Sequence, residues 1–287
     1  MPINLPELNT TALLREHGLR ADKGLGQNFL HDPAILQQIA GAADIEGTDA
    51  VLEIGPGLGS LTRYLALFAK TVTCVELDRD LIRVLHTVLA PYPNVNIIEG
   101  DILRFSPATL MKTDDYMVVS NVPYYITSAI IRHLMETSPR PRRIVITIQK
   151  EVAERVCARS GEMSLLSLSV QVFGEPKISS IIPAAAFYPV PKVDSAIMRV
   201  DMYAEPRVPA ALQKTFFQMA KAGFSQKRKT LRNSLSAGLR LASAETAAML
   251  EQAGIDPMRR AETLSIKEWL TITNGYSQRN GFKNSEV

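Results

Sequence analysis

Cysteine and histidine are scarce in this sequence of 287 residues, and their scarcity excludes several kinds of protein. The two cysteines, Cys74 and Cys157, are too few and too far apart for a disulfide framework, so we expect free thiols in a reducing compartment. The four histidines show no ligand spacing among themselves or with the cysteines. We therefore expect no bound metal.

Long apolar runs are also missing, and none is long enough to span a bilayer. The first residues have neither a basic region nor an apolar stretch of the secretory type. With 46% hydrophobic and 21% charged residues, the composition is that of an ordinary globular protein. We expect a cytoplasmic protein without membrane contact.

Net charge is unevenly distributed along the chain. Residues 205–287 carry 13 Lys and Arg against 7 Asp and Glu, whereas residues 1–204 carry 19 against 22. A basic excess confined to one part of a chain is typical of an appendage that binds a polyanion, with RNA or DNA the leading candidates.

The central part of the sequence alternates β-branched apolar runs with amphipathic helical segments. Strands predicted at Ala50–Ile54 and Thr71–Glu76, for example, flank a helix predicted over Ser60–Ala69, and a further helix is predicted over Arg79–Leu89 behind an Asp78 cap. This spacing indicates right-handed βαβ units. We therefore predict an α/β fold, with a Rossmann-like parallel sheet covered by helices on both faces, followed by a small all-helical domain.

The character of the sequence changes after Pro206, where only helical segments follow, including one predicted over Arg228–Leu241. We place a catalytic domain at residues 1–203 and a helical, nucleic-acid-binding domain at residues 204–287. The polar tail Ser277–Val287 is predicted to be frayed.

Three glycines at alternate positions, Gly55, Gly57 and Gly59, interrupt an apolar run and precede helix-compatible residues. The pattern predicts a strand, a tight loop and a helix N-terminus of the kind that holds part of a nucleotide-like cofactor. A carboxylate at Glu53 would repel a pyrophosphate and tolerate a cationic ligand, which favours S-adenosylmethionine. A lone glycine motif is also compatible with a turn that binds nothing.

Acidic residues end the next two predicted strands. Glu76 lies where a carboxylate can accept hydrogen bonds from both ribose hydroxyls of a bound nucleoside, and Asp101 could accept from an adenine amino group. Alternatively, Glu76 only adds charge near a helix cap at Asp78, and Asp101 only caps a loop. Because ligands of open α/β sheets bind at the carboxyl ends of strands, we favour the cofactor roles.

The segment Asn121-Val122-Pro123-Tyr124 follows the fourth predicted strand and fits Asn-x-Pro-Tyr, the motif of amino-group methyltransferases that act on nucleobases. The side-chain carbonyl of Asn121 and the backbone carbonyl of Val122 can accept both N–H bonds of an exocyclic amine, which favours a pyramidal, nucleophilic nitrogen. Tyr124 offers a face for stacking an extruded base. In isolation, the segment would also fit an Asn-initiated turn.

Two further features complete the predicted site. Phe187 precedes a proline-rich loop and is predicted to cover the other face of the base, with a core phenylalanine as the alternative. A cluster of cations in the C-terminal part lacks interleaved acids, so we predict phosphate contact, although charge runs are usually solvated faces. The cluster consists of Lys221, Lys227, Arg228, Lys229 and Arg232.

Taken together, these segments resemble the family of small-subunit (16S) ribosomal RNA adenine N6,N6-dimethyltransferases, to which the kasugamycin-sensitivity methyltransferase belongs. The matching segments run in family order over nearly the whole chain. They are LGQNFL at 25–30, EIGPG at 53–57, ELDRD at 76–80, NVPY at 121–124, QKEV at 149–152, PKVDS at 191–195 and RKTLRN at 228–233.

The resemblance implies an S-adenosylmethionine-dependent enzyme that methylates N6 twice on two adjacent adenosines in the 3′-terminal hairpin loop of small-subunit ribosomal RNA. It also implies a pre-ribosomal 30S particle as partner, and we expect a monomer. Val122, Tyr125 and Val190 depart from the Leu, Asn and Pro often found there; because Val122 would act through its backbone, we expect activity to survive. The implied cofactor contacts are Asn28, Leu30, Gly55, Glu76, Asp101 and Asn121.

Two rival functions remain open at this point. One is the macrolide-resistance type of enzyme, which methylates large-subunit RNA; the extended match at residues 227–233 argues against it. The other is a transcription or assembly factor that binds nucleic acid without transferring methyl groups, which an intact Asn121–Tyr124 motif disfavours.

Overall fold

The computed structural model describes residues 5–22 and 24–283, with side chains described as far as residue 279. This part of the chain divides into two compact units. The first contains the residues up to 153 together with 175–202, and the second contains 154–174 together with the residues from 203 onward. The chain first passes from one unit to the other between residues 153 and 154, where no domain boundary is predicted from the sequence.

A seven-stranded sheet forms the centre of the first unit, with the order β4-β3-β2-β5-β6-β9-β7. Neighbours among β2 to β6 pair in parallel, whereas β9 runs antiparallel to β6. A second, two-stranded sheet joins β1 to β8. The strands are β1 (Phe29–Leu30), β2 (Ala50–Ile54), β3 (Thr71–Glu76), β4 (Val95–Glu99), β5 (Met117–Asn121), β6 (Arg143–Gln149), β7 (Gly174–Ile182), β8 (Phe187–Tyr188) and β9 (Ser195–Met202).

Helices connect the strands and make up the second unit. They are α1 (Thr10–Glu16), α2 (Pro33–Ala42), α3 (Ser60–Phe68), α4 (Arg79–Leu89), α5 (Pro107–Leu110), α6 (Thr127–Glu136), α7 (Lys150–Val156), α8 (Leu165–Gln171), α9 (Ala210–Phe224), α10 (Leu231–Leu239), α11 (Ser243–Gln252) and α12 (Ile266–Lys283). The predicted α/β fold with a helical C-terminal part is confirmed. Among the described residues, no helix combines the length and hydropathy needed to cross a bilayer.

Local sequence explains why these helices begin where they do. Asp78 caps α4 by accepting a hydrogen bond from the backbone N–H of Asp80, and Asp32 caps α2 ahead of Pro33. The buried residues of α4 recur at helical spacing, so one face of the helix packs on the sheet. Those residues are Leu81, Val84, Leu85 and Leu89.

The strand order reverses at β2, because the chain passes from β2 outward to β3 and β4 and then returns to β5 on the other side of β2. Open α/β sheets bind ligands at such a switch point. The buried hydroxyl of Ser120 on β5 accepts a hydrogen bond from the backbone N–H of Ile54 on β2 at 2.7 Å. This contact holds the two strand ends together where the connecting loops begin.

The second unit has a core of its own, centred on α9, α10 and α12. A Cβ added to Gly223 would lie 2.4 Å from the Trp269 ring, and one added to Gly238 would lie 2.5 Å from the Cβ of Ala222. Glycine at these two positions permits close helix packing. The frayed tail predicted at Ser277–Val287 is wrong for residues 277–283, which continue α12; residues 284–287 lie outside the described part.

Candidate active site

A cleft opens at the carboxyl ends of β2 to β5 and encloses about 980 Å³, including solvent at its mouth. Its walls are the loops after these strands and residues 25–30, which end in β1. Among the described residues, no group of three or more His, Cys, Asp and Glu side chains is arranged to hold a metal ion.

The glycine loop lines the cleft and adopts a backbone that other residues rarely adopt. Gly55, Gly57 and Gly59 have φ values of +68°, +61° and +80°. A Cβ on Gly57 would also lie 3.2 Å from the ring of Phe29. Because the glycines carry no Cβ, the backbone of the loop borders the cleft directly, and a nucleoside ligand can approach that backbone closely.

Glu76, at the end of β3, holds the glycine loop in place. Its two carboxylate oxygens accept hydrogen bonds from the backbone N–H groups of Gly57, at 3.0 Å, and Asp78, at 2.9 Å. The side chain is buried, and this burial raises its pKa. Since a carboxylate has about four acceptor sites, lone pairs remain for ligand hydroxyls in the cleft.

Glu53 lies beneath the loop and is only 1% exposed. Burial raises its pKa to about 8, and the charge of Glu76 acts in the same direction. The Sγ of Cys74, its register partner on β3, donates to Glu53 Oε2 at 3.5 Å. At neutral pH the carboxyl group is therefore mostly protonated, which differs from the ionised carboxylate expected from sequence.

Asp101 caps a turn and also lies at the edge of the cleft. Its Oδ1 accepts a hydrogen bond from the backbone N–H of Leu103 at 3.0 Å, so it caps the turn that follows β4. The residue also lines the cleft. The second oxygen, Oδ2, is not used by this cap and lies 3.8 Å from Nε of the Arg104 guanidinium.

Residues 25–28 close the cleft from the N-terminal side. Gln27 donates from Nε2 to Asp78 Oδ2 at 2.6 Å, and Asn121 donates from Nδ2 to the backbone carbonyl of Asn28 at 3.2 Å. The segment is thereby tied to the ends of β3 and β5. Lys23, which precedes this segment in the sequence, lies outside the described residues.

The residues after β5 form the inner wall. Val122 is buried, whereas Tyr124 is half-buried and Tyr125 is 56% exposed; all three line the cleft. The hydroxyl groups of Tyr124 and Ser195 share a hydrogen bond of 2.5 Å. Burial raises the pKa of the Tyr124 phenol, so this group stays protonated at neutral pH.

Phe187 does not line the cleft, which favours the alternative of a core phenylalanine over the predicted stacking role. The side chain is 1% exposed, belongs to the hydrophobic core and does not line the cleft. Its backbone pairs with Leu30, itself 3% exposed and part of the cleft wall. Because the ring is enclosed by the core, it offers no free face to a base and instead positions β1.

Comparison with known proteins identifies the family. The family model described as "Ribosomal RNA adenine dimethylase" matches residues 18–278. The chain belongs to this family. This confirms the resemblance stated from the sequence. The protein is an rRNA adenine dimethylase with a Rossmann-like methyltransferase fold.

Two curated relatives share nearly the full length of this dimethylase. "Ribosomal RNA small subunit methyltransferase A" of Dehalococcoides mccartyi is 44% identical over 267 residues, which cover 93% of this chain and 92% of that protein. The protein of the same name from Staphylococcus haemolyticus is 40% identical, with 96% of each chain covered.

Two solved structures resemble the dimethylase closely. A dimethyladenosine transferase from Plasmodium falciparum has a TM-score of 0.75 at 26% identity and covers 88% of this chain and 98% of its own. The 23S rRNA methyltransferase ErmE has a TM-score of 0.69 at 30% identity and covers 88% of this chain and 100% of its own.

The basic cluster of the dimethylase lies in the helical unit, around the turn between α9 and α10. The predicted helix over Arg228–Leu241 is wrong at its start, because Thr230 caps α10 by accepting from the backbone N–H of Asn233. Within the described part of the chain, the cluster forms no salt bridge. Lys221, Lys227, Arg228 and Lys229 are exposed, and Arg232 is half-buried.

Two residues that bind side chains around the cleft are not predicted from the sequence. Gln27 joins the N-terminal segment to the end of β3, and Ser195 binds the hydroxyl of Tyr124. Both lie in segments that carry the family resemblance, at 25–30 and 191–195. The family resemblance therefore marks both segments, but neither a glutamine nor a serine by itself indicates a specific hydrogen-bond partner.

Proposed function

We propose that this dimethylase transfers methyl groups from S-adenosylmethionine to N6 of two adjacent adenosines in the 3′-terminal hairpin loop of small-subunit ribosomal RNA. The observation that carries the small-subunit assignment is the 40–44% identity, over more than 90% of both chains, to relatives named for that subunit. The match at 30% identity to a 23S rRNA methyltransferase is weaker.

The cleft fits the proposed cofactor on two grounds. The glycine backbone at Gly55 and Gly57 leaves room that a Cβ would fill, and the carboxylates of Glu76 and Asp101 line the same cleft as residues 25–30. We assign Asn28, Leu30, Gly55, Gly57, Glu76, Asp101 and Asn121 to its binding. When bound, S-adenosylmethionine supplies an electrophilic methyl group.

The chain's own residues prepare the amine. The hydrogen bond from Asn121 Nδ2 to Asn28 uses one amide N–H, and this orientation leaves Oδ1 free to accept from the target amine. The backbone carbonyl of Val122 takes the second N–H in our proposal. Holding both bonds favours a pyramidal nitrogen with an available lone pair. Tyr124 provides the stacking face for the extruded base.

The helical unit supplies affinity for the RNA backbone. We propose that the cations around the α9–α10 turn contact phosphates, because they are mostly exposed and lack salt-bridge partners among the described residues. The proposed partner is a precursor of the small ribosomal subunit, on which the protein acts as a monomer in the cytoplasm. A methylation-independent role in assembly would use the same contacts.

A transfer assay tests the proposal. The protein is incubated with radiolabelled S-adenosylmethionine and either unmethylated small subunits or large subunits, and modified nucleosides are mapped by mass spectrometry. We expect two adjacent dimethyladenosines in the small-subunit RNA and none in the large-subunit RNA. Label confined to the large subunit would support the macrolide-resistance type of activity, and absence of label from both would contradict catalysis.

A further inference from the structure

The hydroxyl of Ser195 binds the hydroxyl of Tyr124, 71 positions away in the sequence, at 2.5 Å. Tyr124 begins a short turn of three residues, Tyr124–Ile126, none of which is buried. Packing therefore covers this turn only in part. A side chain that must present one ring face to a base needs a second restraint.

Ser195 is well placed to supply that restraint. It is fully buried and begins β9, where its register partner is Gln149 at the end of β6. β6 lies beside β5, which ends at Asn121. The start of β9 therefore meets the carboxyl ends of the strands that carry the cleft.

The backbone around Ser195 is fixed from two sides. The carbonyl of Asp194 accepts a hydrogen bond from the backbone N–H of Lys150 at 3.0 Å. Its carboxylate Oδ1 accepts from the backbone N–H of Ala184, also at 3.0 Å. A hydroxyl on such a support is a rigid anchor, whereas the turn that it holds is only partly covered by other residues.

We propose that Ser195 is a positioning residue, which holds the Tyr124 ring by its hydroxyl so that the ring face is set for the extruded adenine. This inference rests on the proposed function, but the hydrogen bond itself does not. In this proposal the Tyr124 hydroxyl takes no part in methyl transfer and serves only to bind the ring to Ser195.

Three variants test the inference: Ser195→Ala, Tyr124→Phe and the double variant. Each single variant removes one partner of the bond and keeps the aromatic ring, so we expect kcat to fall about 5- to 10-fold in each, as for one neutral hydrogen bond. KM for S-adenosylmethionine stays unchanged. The double variant is no slower than the slower single variant, because both changes remove one interaction.

Ser180→Ala provides the matched control, since Ser180 is a half-buried serine on β7 that donates to Gln38 and does not line the cleft. We expect parental kcat from it. Parental kcat in Ser195→Ala, or losses that multiply in the double variant, would overturn the inference. If Ser195→Ala does not fold, parental kcat in Tyr124→Phe would overturn it equally.

A second readout is independent of methyl transfer. In protein labelled with 3-fluorotyrosine, the ¹⁹F resonance that disappears in Tyr124→Phe identifies Tyr124. We expect it to shift in Ser195→Ala and to stay in place in Ser180→Ala; an unmoved resonance in both would overturn the inference. A parent protein that methylates nothing but shows this shift would contradict the proposed function and leave the Ser195 anchor standing.

Discussion

Asn121 donates a hydrogen bond from its side-chain amide to the backbone carbonyl of Asn28, 93 positions earlier in the chain. The bond joins the end of β5 to the segment that closes the cleft. It also fixes the orientation of the Asn121 amide, because one N–H of the nitrogen is bonded and the oxygen takes no part in this contact. In our proposal, this side chain links the segment that holds the cofactor to the amine that is methylated.

Replacing Asn121 with Ala should abolish most methyl transfer while RNA binding persists. The variant loses a preorganised acceptor for the amine, and removal of one such electrostatic contact costs about 10²–10³ in kcat. Single-turnover transfer and RNA affinity by filter binding check this. Asn96→Ala, at an exposed asparagine on the edge strand β4, is the matched control. Parental transfer in Asn121→Ala would refute the role.

Replacing Glu76 with Gln should weaken cofactor binding at least 10-fold. A glutamine side chain has one oxygen that accepts, and its amide nitrogen only donates. Because the N–H groups of Gly57 and Asp78 bond to different oxygens of Glu76, the variant cannot hold both, and the glycine loop loses a restraint. Isothermal titration with S-adenosylmethionine measures the change. Glu99→Gln, at the exposed end of β4, serves for comparison, and an equal loss there would argue against a specific role for Glu76.

The stability of the protein should decline as pH rises from about 5 to 8, in part through Glu53. Its folded pKa of about 8 lies above the ordinary value of 4.5, so the folded state binds this proton more tightly than the unfolded state. The contribution of Glu53 to the free energy of unfolding is fully present below pH 4.5. It is lost as pH rises towards 8, by at most about 1.4 kcal/mol per pH unit.

Denaturant unfolding of the parent protein and Glu53→Gln at pH 5.5, 7 and 8 checks this expectation. Glutamine is uncharged throughout, so the variant should gain stability relative to the parent as pH rises. Glu175→Gln, at an exposed position on β7, should follow the parent. Parallel pH curves for the parent and Glu53→Gln would contradict the burial argument.

Much of the fold follows from local patterns in the sequence. The helix predicted over Arg79–Leu89 and its Asp78 cap have the same bounds in the structure, because apolar spacing and a capping residue are both local signals. The strands of the parallel sheet are predictable for the same reason. The pairing of β1 with β8 is not, since two-residue strands have no periodicity and depend on a partner over 150 positions away.

The candidate site is predictable to the extent that residue type indicates role. Glu76 and Asp101 line the cleft where strand ends meet, yet their bonds to backbone N–H groups depend on loop geometry that the sequence does not specify. Phe187 illustrates the limit, because an aromatic residue before a proline-rich loop looks alike whether it faces a cleft or the core. Its burial in the core, at 1% exposure, is what distinguishes the two.

Replacing Lys227, Arg228 and Lys229 together with Ala should weaken RNA binding and leave cofactor binding unchanged. These cations occupy the α9–α10 turn, are exposed and have no salt-bridge partner among the described residues, so the substitution removes charge without leaving an acid unpaired. Each lost phosphate contact lowers the slope of log K against log salt by somewhat less than one, so the triple variant should lose about two to three units of slope. Lys214→Ala, at an exposed position on α9 away from the turn, is the control. An unchanged salt slope in the triple variant would place the RNA contact elsewhere.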